Sequence, residues 1–273
     1  MKRAVPVLLV QAVLWSTSAL MLYPIAVMAF SGFRSTGEIF AAPFALPDFS
    51  HIGNFVSILA DGAFVGYFAN SVVVTTGAVV LSVVLGTMAA YALARYEFLG
   101  NTALTLCFLA GLMLPLKLAV IPLFIELRDI GLLDTRAGLI LVYAAIGIPS
   151  VVFILTGFLR TLPAEMEQAA RIDGASEPRI MLQVMLPLAR PALVIAAINN
   201  AIPVWNDFFF PLVFIQSESR KTLPQGLTGF IGEYATNWGV LFAGLTLAAL
   251  PISLLYIALS RQFIAGLTAG AVK

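Results

Sequence analysis

Residues Pro163–Pro191 read PAEMEQAARIDGASEPRIMLQVMLPLARP, a compact charged interruption in an otherwise apolar chain. Long uncharged runs flank it, so the segment lies outside a bilayer, yet it keeps the grammar of ordered helices. Pro163 suits a first helical turn, Glu165 and Glu167 sit where the helix dipole favours acids, and Gly174 is the expected left-handed stop. Ser176 can cap a second helix whose Ile180, Met181, Val184, Met185 and Leu188 form one apolar stripe. Leu186-Pro187 and Arg190-Pro191 end it. Glu167 and Arg171 can pair at i,i+4, Glu165 and Gln168 share a face, and Ala169 and Ala170 allow another surface to approach closely. A plain amphipathic connector resting on headgroups would show the stripe, but not the paired alanines, the glycine and two helices in so short a loop.

Outward from this segment, composition sets the class. Of 273 residues, 60% are hydrophobic and 11% charged, far from the balance of a soluble domain. Six apolar stretches are each long enough to cross ~30 Å of hydrocarbon. They cover 6–30, 67–94, 102–125, 138–159, 191–215 and 239–260. Without period-2 alternation they are expected to be helices, so the fold class is an all-α polytopic membrane protein with six transmembrane helices in one transmembrane domain over 1–273. The charged loop, about 161–190, joins the fourth and fifth. The run from Ala4 to Ala29 is longer than a secretory signal core and reads as a retained first span. Cys107 is expected to be a buried, inert thiol.

Basic residues orient the chain. With the N-terminus inside, the inner segments carry Lys2, Arg3, Arg95, Arg160, Arg171, Arg179, Arg190, Arg261 and Lys273, against Arg34, Arg128, Arg136, Arg220 and Lys221 outside. Nine against five follows the positive-inside bias, placing both termini and the charged loop in the cytoplasm. A net charge of +1 argues against a nucleic-acid partner.

Polar residues within the spans mark a candidate translocation path: Lys117 in the third, and Asn199, Asn200, Trp205, Asn206 and Asp207 in the fifth. Lys117 and Asp207 reach similar depth, and an unpaired charge in the membrane costs at least ~3 kcal/mol, so both should face protein or water. They can form a structural pair, or Lys117 can snorkel to the rim, or it can stand in a cavity and favour an anionic solute. The asparagines can bond solute hydroxyls or act as interhelical glue, and Trp205 can stack on a solute ring or simply pack. Prolines 115, 122, 149, 203, 211 and 251 mark kinks.

Other classes lack their chemistry. There is one histidine, outside the spans, one cysteine, and no His-Glu-x-x-His, so an intramembrane enzyme is not indicated. The Gly-x4-Gly-Lys-[Ser/Thr] phosphate loop is missing, so energy must come from another chain. An ion-coupled secondary transporter is the alternative, although Lys117 and Asp207 are the only ionisable residues at midplane.

The charged loop resembles the cytoplasmic EAA loop of ATP-binding-cassette importer permeases, which reads Glu-Ala-Ala, three residues, Gly, nine residues, Ile, one residue, Leu-Pro. Gln168-Ala169-Ala170, Gly174, Val184 and Leu186-Pro187 keep the full spacing, with Gln168 and Val184 replacing the usual glutamate and isoleucine. Asn70-Ser71, Ile121–Phe124, Gly131–Ile140, Trp205–Asp207, Lys221–Pro224 and the C-terminal GLTAGAVK resemble the maltose-type sugar branch. The resemblance implies a type I importer permease in a bacterial inner membrane. Its coupling helix would use Glu165, Glu167, Gln168, Ala169, Ala170, Arg171, Asp173, Gly174, Leu186 and Pro187, with Glu165 able to stand in for the missing charge. It further implies a second homologous permease forming a heterodimer, two copies of a cytoplasmic ATPase that bind ATP and Mg, an extracytoplasmic solute-binding protein at Ser31–Gly66 and Gln216–Trp238, and no cofactor on this chain.

Overall fold

The computed structural model describes residues 4–47, 49, 51–60, 62–231 and 236–271. Lys2, Arg3 and Lys273, invoked for orientation, and the last two residues of GLTAGAVK lie outside them. Among the described residues all regular structure is helical. The chain runs α1 Ala4–Ser31, α2 Thr36–Ala41, α3 Gly53–Ala60, α4 Gly62–Arg95, α5 Asn101–Met113, α6 Val120–Asp129 and α7 Arg136–Leu159. It continues through α8 Glu165–Ile172, α9 Glu177–Ile180, a π-helical turn Met181–Met185, α10 Leu186–Leu188, α11 Arg190–Asn206, α12 Phe209–Phe214, α13 Leu223–Leu227 and α14 Trp238–Ala271.

Four helices (α1, α4, α7 and α14) are long and apolar enough to cross a membrane, and six spans result if each of two bent helix pairs counts as one. The third expected span is one of these pairs, the other joins Glu177–Leu188 of the charged loop to α11 at 80°, and the fifth expected span has an interruption of its own. The third breaks after Met113, and the axes of its two halves diverge by 84°. Leu114 is extended (φ −73°, ψ 128°) because the Pro115 ring excludes the helical region for the residue before it. The fifth breaks at Asp207 (ψ 131°), whose carboxylate accepts from the backbone N–H of Phe209 and Phe210 and so starts α12 afresh. By contrast Pro149, Pro203 and Pro251 lie within helices, which membrane helices accommodate.

Cys107 corrects an expectation, because it is exposed on α5. The neighbouring Leu104 and Leu106 are exposed too, as an apolar surface turned to hydrocarbon should be.

The chain forms two compact units. One comprises residues 1–65 and 226–251. Here the buried Arg34 donates to the carbonyls of Glu38 and Ala42, Asn54 donates to those of Gly32 and Arg34, and Trp238 meets Phe40 edge-on. Ser35 and Glu38 form a capping box at the start of α2.

The other unit, residues 66–225 and 252–273, holds two hydrophobic clusters. One packs Val74, Leu139, Val142, Tyr143, Phe210 and Phe214. The second joins Ala90 and Tyr91 of α4, Val151, Leu155 and Leu159 of α7, Ile180, Met185 and Ala196. The charged loop is thus rooted in the same core as the spans. Close helix approach comes from small residues: a Cβ at Gly147 would stand 2.5 Å from Asn200 Oδ1, and one at Gly86 would stand 2.7 Å from Val151.

Candidate coupling surface and translocation cavity

In the charged loop, α8 starts at Glu165, two residues later than Pro163 suggested, which puts Glu165 and Glu167 in its first turn. Gly174 has φ +80°, the left-handed stop expected of it. Ser176 occupies the N-cap of α9 in extended conformation, but its side chain makes no capping bond. Ile180 and Met185 are fully buried and Met181 and Val184 pack beside them, whereas Leu188 is exposed.

An ionic network fixes α8. Glu167 is buried, its carboxylate 2.8 Å from Arg95 Nε at the end of α4 and 3.7 Å from Arg171. Arg95 also donates to the Leu162 carbonyl, while Arg160 donates to that of Leu93. Arg171 donates on to Glu177 at 2.7 Å, and Tyr96 donates to the same carboxylate at 2.8 Å. The hydrogen bonds from Arg171, then from Tyr96, hold Glu177 below the usual glutamate range, and the bond to Glu177 raises Arg171. Burial, then the bond to Glu177, raises Tyr96.

The two alanines part company. Ala170 packs inward on the core cluster, and Ala169 is exposed beside Glu165, Gln168 and Asp173. Met166 (45% exposed) and Ile172 (86% exposed) join them on the free face. Sequence reasoning missed both apolar residues, although their spacing about Ala169 places them on one side of the helix. It also gave Arg95 no part in this helix, because nothing in the sequence pairs it with a residue so distant in the chain.

The polar span residues fall into two groups. Lys117, Asn199, Asn200 and Asp207 line one cavity of about 350 Å³, together with Tyr143 and Ser150. Tyr143 Oη donates to Asp207 at 2.7 Å, and both asparagine amides donate to Ser150 Oγ, Asn200 also to the Ala196 carbonyl. Among the described residues no ion pair joins Lys117 to Asp207. Lys117 Nζ instead stands 5.4 Å above the centroid of the Phe209 ring. Trp205 and Asn206 do not line this cavity: Trp205 is 6% exposed and meets Phe68 edge-on, and Asn206 donates to the Ile202 carbonyl of its own helix. Tyr143 and Ser150 were unmarked in the sequence because a lone hydroxyl in a span carries no periodic signal.

At the other end of this unit, the Asp134 carboxylate accepts from the backbone of Gln216 and Ser217, the Ser217 hydroxyl and Arg220. Burial opposes its ionisation, but these donors and the Arg220 charge hold its pKa below the usual range. Glu218 is lowered by Lys221, then by Tyr67. Asn70 donates to the carbonyls of Ser219 and Lys221, and Ser71 Oγ accepts from Leu223 N–H.

Broken spans around a polar cavity, with a rigid helical loop outside them, define a polytopic membrane permease. Residues 82–268 match the family described as binding-protein-dependent transport system inner membrane component, and the chain belongs to that family. It is 38% identical over 263 residues to the diacetylchitobiose uptake system permease protein NgcG of Streptomyces coelicolor, covering 96% of this chain and 86% of that one. It is 36% identical to the arabinooligosaccharides transport system permease protein AraQ of Halalkalibacterium halodurans, covering 92% and 91%. Among solved structures it resembles a chain from a bacterial ABC transporter involved in import of the acidic polysaccharide alginate, with TM-score 0.80, 26% identity and coverage of 96% and 98%. The chain is a membrane-spanning permease of the ABC importer type.

Proposed function

We propose that this chain forms half of an inner-membrane pathway for a sugar-class solute, an oligosaccharide, glycoside, polyol or phosphorylated or sulfonated derivative, driven by ATP hydrolysed on two copies of a separate ATPase. ATP and Mg belong to those partners. A second, non-identical permease completes the pathway and an extracytoplasmic solute-binding protein delivers the solute. The chain works as one permease domain, with both termini and the 161–190 loop in the cytoplasm as the basic-residue bias favours. The sugar class is supported by relatives whose names specify diacetylchitobiose, arabinooligosaccharides and melibiose, raffinose or stachyose.

The observation that carries this reading is the rooting of α8 in the core of the spans through the buried Arg95–Glu167 contact and the Ile180–Met185 cluster. A load on its free face (Glu165, Gln168, Ala169 and Asp173, with Met166 and Ile172) is carried into α4, α7 and α11, against which the loop packs. Arg171 and Gly174 set the angle of the loop, and Leu186 and Pro187 lead it into α11. In the cavity, Lys117, Asn199, Asn200 and Asp207 offer donors and acceptors suited to hydroxyl-rich solutes. Trp205 and Asn206 support that wall from outside the cavity.

The test is reconstitution of the purified assembly. Uptake of oligosaccharide into vesicles should require ATP and the ATPase chains while ion gradients are held at zero. Uptake at full rate without ATPase, or driven by an imposed gradient alone, would return the ion-coupled alternative.

A further inference from the structure

Within the Lys117 cavity the polar groups stand at two levels. Tyr143 of α7 meets Asp207, and Ser150 of α7 meets Asn199 and Asn200, so α7 and α11 run antiparallel past the cavity. Seven residues separate Tyr143 from Ser150, and seven separate Asn200 from Asp207, which at ~1.5 Å per residue sets the levels about 10 Å apart. Between them the lining is Ile146, Pro203 and Val204, whose side chains form no hydrogen bonds.

At the Ser150 level both amides donate to Oγ and occupy its lone pairs, so the serine hydroxyl is left as a donor. Asn199 is exposed and its carboxamide oxygen accepts nothing among the described residues, which leaves it as an acceptor. At the Tyr143 level the Lys117 ammonium supplies donors. The Asp207 carboxylate takes one bond from Tyr143 and two from backbone N–H groups, and keeps capacity for another. Each level therefore offers a donor and an acceptor, the pair that a sugar hydroxyl uses. The belt between them is apolar, as the C–H face of a sugar ring requires.

We propose that this cavity recognises two linked sugar rings end to end, so that a disaccharide is the shortest solute held at both levels. A single ring reaches one level and leaves the groups of the other unmet. Two linked rings carry terminal hydroxyls far enough apart to meet both. The volume of about 350 Å³ lies near the lower end of the ~300–1,000 Å³ usual for ligand pockets, which suits a short segment of chain. Ser150 is a positioning residue here: it holds the two amides so that Asn199 presents its oxygen. The inference rests on the sugar-pathway reading and adds a length to it.

The assembled transporter, with partner permease and ATPase chains but without a solute-binding protein, is incubated with oligosaccharide ladders from amylose, cellulose, xylan and chitin. Native mass spectrometry reads the length of the sugars retained. The wild type should retain disaccharides and longer chains at least about tenfold over single sugars, the factor expected when one set of hydrogen bonds goes unmade. Asn199→Leu and Ser150→Ala should each bring disaccharides down to the level of single sugars, with recovery in Ser150→Thr. Single sugars retained as well as disaccharides overturn the proposal. So does unchanged retention in both variants, which would make the Ser150 level interhelical glue only. If Asn199→Leu does not assemble, the Ser150 pair decides. Oligosaccharide uptake that persists in ATP-energised vesicles while retention is absent or blind to length rejects the two-level site alone; loss of both uptake and retention rejects the sugar pathway with it.

Discussion

The Nε of Arg95 stands 2.8 Å from the Glu167 carboxylate, with only 9% and 6% of the two side chains exposed. One residue ends a membrane helix and the other lies in the first turn of α8, so a single buried charge pair joins a span to the surface helix. Removing one partner of such a pair leaves the other charge buried and uncompensated, at about 3–5 kcal/mol, whereas replacing both by apolar groups is often neutral. Arg95→Met and Glu167→Leu should each destabilise the chain strongly, and the double variant should recover thermal stability. ATP-driven uptake should stay low in the double variant while ATPase activity persists. Full recovery of uptake would make the pair a fold support only.

On the free face of α8, the Ile172 side chain is 86% exposed. Ile172→Lys should leave the melting temperature unchanged and lower copurification of ATPase chains at least about tenfold, the loss expected when a central apolar anchor is truncated at an interface. An unaltered yield of ATPase would move the contact elsewhere.

Lys117 faces the cavity without an acidic partner among the described residues, since Asp207 is engaged by Tyr143 and two backbone N–H groups. Lys117→Met should therefore lower uptake of acidic sugars more than neutral ones. Equal, unchanged uptake of both would exclude charge selection at this position.

Gly147 admits no side chain, because a Cβ would come within 2.5 Å of Asn200 Oδ1 and 3.1 Å of Ser82 Cβ. Gly147→Ala should cost about 1–3 kcal/mol through forced separation of α7 from α11 and α4. Thermal unfolding in detergent would read this, with Gly157→Ala as the control that meets open space.

The Arg171–Glu177 contact predicts an acid response. Glu177 titrates lower in the folded chain than its ordinary value of 4.5, so its contribution is present above that pH and is lost as pH falls through the lower folded value. Arg171→Gln should be less stable near neutrality and should lose less on acidification below about 4.5. Parallel stability curves for the two proteins would show that the contact is absent in solution.

Much was legible in the sequence, for physical reasons. Hydrocarbon demands about 20 apolar residues per span and satisfies no loose backbone group, so run length alone reveals helical spans. The loop was equally plain, since Gly174 and the acids of the first turn act through backbone conformation and dipole, which neighbours in sequence control. Pairing across distance was not legible. Glu167 reads as a partner of Arg171 until α4 brings Arg95 to it, and Trp205, open in the sequence to stacking on a solute or to packing, packs edge-on against Phe68. Lys117 and Asp207 share a depth in the sequence and a cavity in the fold, yet Tyr143 takes the carboxylate. Run length and local propensity determined that these segments are helical, but not that the third and fifth spans break at Leu114 and Asp207. Only tertiary packing decided which polar groups meet, because that depends on helix rotation and on small residues such as Gly147 that set how closely helices approach.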